Sequence, residues 1–169
     1  MGLDVELIEE LKAVITEDPF FFDMEVGYNP RDCGTAACFA GHIYLIQERK
    51  GGIHFQPDYY NPHPTYSIDL LPYAVKVLGI DEMEENALEA GEKIFRLGYW
   101  SEPFKQQYEE CQRLLKVFIK ERFGRFGYVN EYSPRAIEAA RKQPQVLELK
   151  RRAAQIACNR LDHYVKTGQ

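Results

Sequence analysis

Residues 36–49 are apolar on almost every side. Ala36, Ala37, Cys38, Phe39, Ala40, Ile43, Tyr44, Leu45 and Ile46 would leave a helix with no broad polar face. Thr35 is placed to cap its start and Gly51 to stop it. A helix of this kind has to be enclosed by other elements, so it predicts a fold built around a buried central helix.

The rest of the chain supplies the enclosing elements. Leu7, Ile8, Leu11, Val14 and Ile15 recur at helical spacing over 4–16, with Asp4 as cap and Pro19 as stop. Phe20, Phe21 and Phe22 follow as anchors into the core. Further helices are predicted over 70–78, closed by Gly79, over 81–97, and over 102–123. The last of these carries the stripe Phe104, Tyr108, Cys111, Leu115 and Phe118. Ser133-Pro134 opens a short helix to about 142, Pro144 breaks it, and a final helix covers 145–166. The expectation is an all-α fold: one domain over 1–169, with about seven helices around the apolar one. A length of 169 residues is enough to bury roughly 70% of the unfolded surface, so no metal or disulfide staple is required. Pro57, Pro62 and Pro64 leave room for at most a short edge hairpin, near 53–55 and 66–68.

Charge separates along the chain. Residues 1–110 carry 21 acidic against 8 basic side chains, whereas residues 111–169 carry 5 against 13. The two parts are expected to neutralise one another or a second copy. Arg113, Lys116, Lys120 and Arg122, with Lys150, Arg151 and Arg152, form the one basic face that could meet phosphates. The overall pI near 5.5 sets nucleic acid behind a protein partner. No apolar run reaches the roughly 18 residues of a membrane span. The acidic start has no signal-peptide pattern, so the expected location is cytoplasmic and the four cysteines are expected reduced. Neither G-x-x-x-x-G-K nor G-x-G-x-x-G occurs, and no cofactor is implied.

Chemistry concentrates in Cys33-Gly34-Thr35-Ala36-Ala37-Cys38-Phe39-Ala40-Gly41-His42. Three readings compete. The segment can be a packing device, in which small residues four apart let another helix approach, Cys38 is a small hydrophobe and His42 is partly buried. It can present Cys33 as a nucleophile, its thiolate favoured by a helix N-terminus, with Thr35 and Ala36 N–H groups as oxyanion donors. The only sensible bases would then be His54 or His63. It can also gather Cys33, Cys38 and His42 around a metal, although C-x₄-C-x₃-H is not a common zinc spacing and no metal is assigned. Tyr59, Tyr60 and Tyr66, with Phe55, make the proline-rich loop a candidate binding surface together with Cys38 and His42.

The same segment resembles a group of small uncharacterised bacterial and phage proteins that share C-G-T-x-x-C-x-A-G-H/W. Leu78-Gly79-Ile80, Ile94-Phe95 and Trp100 match their later L-G-hydrophobic, hydrophobic-Phe and Trp features, so the resemblance spans about 33–104. Ser101 stands where proline is usual, and the basic C-terminal part is longer. The resemblance implies a helical domain and no particular activity. The functional expectation is an accessory or regulatory protein that acts by binding a protein partner or a second copy of itself, rather than an enzyme. The alternative is a thiol-dependent hydrolase-like enzyme with Cys33 as nucleophile.

Overall fold

Asp4 starts the first helix as its sequence suggests. Its carboxylate accepts the Leu7 N–H at 2.9 Å, and α1 runs over Val5–Glu17. The computed structural model describes residues 3–24, 28–29, 36–51, 67–80, 87–123, 138–139 and 142–168. After α1, a 3₁₀ turn at Pro19–Phe21 leads through an extended Phe22 into a strap described as far as Met24. Two short extended segments, β1 (Tyr28–Asn29) and β2 (Ala36–Ala37), pair antiparallel, with Tyr28 opposite Ala37 and Asn29 opposite Ala36.

The remaining helices are α2 (Phe39–Arg49), α3 (Ser67–Val77), α4 (Ala87–Phe95), α5 (Glu102–Phe123) and α6 (Pro144–Thr167). A second 3₁₀ turn, Leu97–Tyr99, joins α4 to α5. The fold is all-α, with six α-helices among the described residues. The seventh expected helix, over 134–142, falls mostly outside them.

α2 is enclosed as its composition requires. Phe39, Ala40, Gly41, His42, Ile43 and Ile46 are buried, with α1 and α3 packed alongside. Its start differs from the expectation. Ala36 and Ala37 are extended and paired with β1, so the helix begins at Phe39 with Cys38 as N-cap. Ser67 and Ile68 belong to α3, so no hairpin arm forms there. α3 ends in a Schellman turn: Ile80 N–H reaches Val75 O at 3.1 Å, Gly79 N–H reaches Lys76 O at 3.1 Å, and Gly79 adopts φ +70°. The Asp4 N–H then donates to Leu78 O at 2.8 Å, docking the start of α1 on the end of α3.

α5 and α6 form a long antiparallel pair on one side of this core. The centre is aromatic. Phe39 stacks on Trp100 with ring centroids 5.9 Å apart, and Trp100 meets Tyr108 edge-on at 5.5 Å. Phe22 closes the group against Phe39 at 5.1 Å. No helix among the described residues is long and apolar enough to cross a membrane.

Candidate functional site

Cys38 and His42 lie one turn apart at the start of α2, and both are buried. The strap Phe21–Met24 crosses beside them, and polar groups from three helices hold it. From α2, His42 Nε2 donates to Phe21 O at 3.3 Å. From α6, Lys150 Nζ reaches Phe22 O at 3.5 Å and Asp23 Oδ2 at 4.0 Å. From α5, the Tyr108 hydroxyl accepts the Met24 N–H at 2.9 Å and the Gln112 side-chain amide at 2.9 Å. The 3₁₀ turn bonds the Phe21 and Phe22 N–H groups, and these side chains satisfy further backbone groups of the strap in the interior.

The electrostatics follow from burial. The Phe21 carbonyl can only accept, so Nε2 carries the proton when the His42 ring is neutral. Its Nδ1 is buried with no hydrogen-bond partner. Burial, helped by the Arg49 charge, lowers the His42 pKa to about 4 against the weaker opposing effect of the Phe21 bond. Burial pushes the Cys38 thiol up, and Asp23 adds to this. The Ala40 and Gly41 N–H groups at the helix start pull it down and do not prevail. Burial also raises Cys111, and it pushes Cys158 up to about 11. No disulfide joins these three residues.

Among the described residues, no group of three or more His, Cys, Asp or Glu side chains is gathered as a metal site. Cys33, His54, His63, Tyr59, Tyr60 and Tyr66 lie outside the described residues, as does Thr35. A thiolate at Cys33 favoured by a helix dipole requires that residue directly before a helix. The observed helix starts six residues after it, and Ala36 is committed to strand pairing with Asn29. The helix start presents Cys38 instead.

Asp23, Tyr108, Gln112 and Lys150 were not singled out as site residues from sequence. Lys150 carried a signal nonetheless. It shares the inward stripe Val146, Lys150, Ala153, Ala157 and Leu161 of α6 and is only 8% exposed, so it does not belong to the basic face. A lysine on the apolar side of a helix calls for a buried anion or carbonyl, and Asp23 and Phe22 supply both. An open cleft of about 420 Å³ lies elsewhere, between the end of α1 and the first half of α6, lined by Thr16, Glu17, Asp18, Pro19, Phe20, Leu147 and Arg151. Compared with family models, with curated proteins and with solved structures, the chain matches none.

Proposed function

We propose that this chain is a small cytoplasmic helical protein of accessory or regulatory type, which works by contact with another macromolecule rather than by chemistry. The observation that carries this reading is how the Cys38–His42 pair is used. Both side chains are enclosed, the thiol is pushed away from ionisation, and the imidazole is spent on the strap. An inert buried thiol and a neutral buried imidazole suit a structural junction. The contact surface we assign is the aromatic loop 53–66, with Tyr59, Tyr60 and Tyr66.

The test is in-cell crosslinking with mass spectrometry, comparing the natural chain with a Tyr59→Ala/Tyr60→Ala double variant. Loss of specific crosslinked partners with unchanged thermal stability is expected. An identical set of crosslinks in both would remove the loop from the reading. The alternative, a thiol enzyme, rests on Cys33 with His54 or His63 as base, and the labelling experiment in the Discussion decides it.

A further inference from the structure

The outer face of α5 reverses its charge halfway along. Glu102, Gln106, Glu109, Arg113, Lys116 and Lys120 recur at alternating intervals of four and three residues, which places them on one face of the helix. All six are exposed. Tyr108, Cys111 and Leu115 are buried on the opposite side, which faces the core and α6. The stripe is about 27 Å long at 1.5 Å per residue. Its first half is acidic and its second half basic. Intrahelical bonds shape it: Gln106 donates to Glu102 at 2.9 Å, and Arg113 donates to Glu110 at 2.7 Å.

A stripe of this kind is complementary to its own reverse. With two α5 helices antiparallel and a two-fold axis level with residue 111, Glu102 meets Lys120 of the partner subunit. Glu109 meets the partner's Arg113, and Gln106 meets the partner's Lys116. The symmetry repeats each pair, as an isologous interface requires. A parallel arrangement would set acid on acid and base on base, so the charges select direction and register together. Val117, 41% exposed, flanks the stripe and adds apolar contact.

We propose that the outer face of α5 is a self-association surface on which a second copy of this chain docks antiparallel, acidic half against basic half. The inference rests on reading the protein as one that works by macromolecular contact, and it names the chain itself as a partner. Ion pairs near solvent contribute little each and are screened by salt, so the association is weak and ionic-strength dependent.

The experiment is sedimentation equilibrium of the full chain, up to a few hundred micromolar, at about 50 mM and about 500 mM salt, where the Debye length differs severalfold. A dimer at low salt that weakens at least about tenfold at high salt is expected. Glu102→Lys and Lys120→Glu should each abolish it, because positions 102 and 120 then carry the same sign. Mixing the two variants should restore a heterodimer, because each substituted position then faces an opposite charge at both ends. Both changes lie on a solvated face, and circular dichroism checks that both variants fold. A monomer at every concentration and salt overturns the inference and leaves a different macromolecular partner, tested through Tyr59 and Tyr60, untouched. A dimer indifferent to salt and to both variants also overturns it, because self-association then uses another surface. Loss in the single variants without recovery on mixing overturns the antiparallel register.

Discussion

Acid should loosen this protein through one histidine. His42 is 4% exposed and holds a pKa of about 4 in the folded chain. In the unfolded chain the same imidazole titrates near 6.5. Between those values the unfolded state binds the extra proton, so folding stability is complete above about pH 6.5 and falls as the pH drops toward 4. The linkage gives a loss of about 2 kcal/mol between pH 7 and pH 5, and about 3 kcal/mol once both states are protonated. Carboxylates hardly titrate above pH 5, so the upper part of this window isolates the histidine. His42→Gln keeps a donor for the Phe21 carbonyl and removes the titration. The measurement is urea unfolding of both proteins at pH 7, 6 and 5. With an m-value of about 2 kcal/mol/M, the natural chain should lose about 1 M in midpoint relative to the variant. His54, His63 and His163 are present in both proteins and cancel in the difference. A difference that stays constant within about 0.5 kcal/mol across this range would refute burial as the state of His42.

Tyr108→Phe should cost about 2–3 kcal/mol, because it strands the Met24 N–H and the Gln112 amide in the interior; chemical denaturation reads it, and a loss under about 0.5 kcal/mol would mean that water reaches the strap. Lys150→Met should cost about 3 kcal/mol while Asp23 keeps its charge, and adding Asp23→Asn should recover part of the loss in a double-mutant cycle. Native alkylation across pH, read by peptide mass spectrometry, should find Cys38, Cys111 and Cys158 slow at pH 8, at rates set by local opening. Rapid labelling of Cys33 alone, titrating well below the free-thiol value of about 8.5, would instead support the enzyme alternative. Gly79→Ala should cost about 1–2 kcal/mol by thermal unfolding, because φ +70° is strained for a residue with a Cβ.

Periodicity carried most of the helices. α1, α5 and α6 lie within a residue or two of their expected limits, because their apolar stripes are long and their ends carry Asp4, Ser101 and Pro144. α2 starts later than its composition predicts, for a physical reason. Ala36 and Ala37 have high helix propensity, but Tyr28 and Asn29 supply a strand partner that no local pattern announces. The site was legible only in half. Cys38 and His42 stood out because they are close in sequence. The groups that fix their roles come from residues 21–24, 108–112 and 150, and only the tertiary fold brings those together.

The strap fixes what the Cys38–His42 pair does, while the thiol-enzyme reading turns on Cys33, which lies outside the described residues. A thiol and an imidazole at a helix start suggest catalysis when that start is open to solvent, because the N–H groups there favour an anion. Here the start is covered by Phe22, whose ring lies 5.1 Å from Phe39 and 6.2 Å from His42. The cover is costly to make, since residues 21–24 bring backbone polar groups into an apolar interior. His42, Tyr108 and Lys150 offset that cost, one from each of three helices. Polar side chains committed in this way tie α2, α5 and α6 to one strap, and each is lost to solution chemistry by the same act.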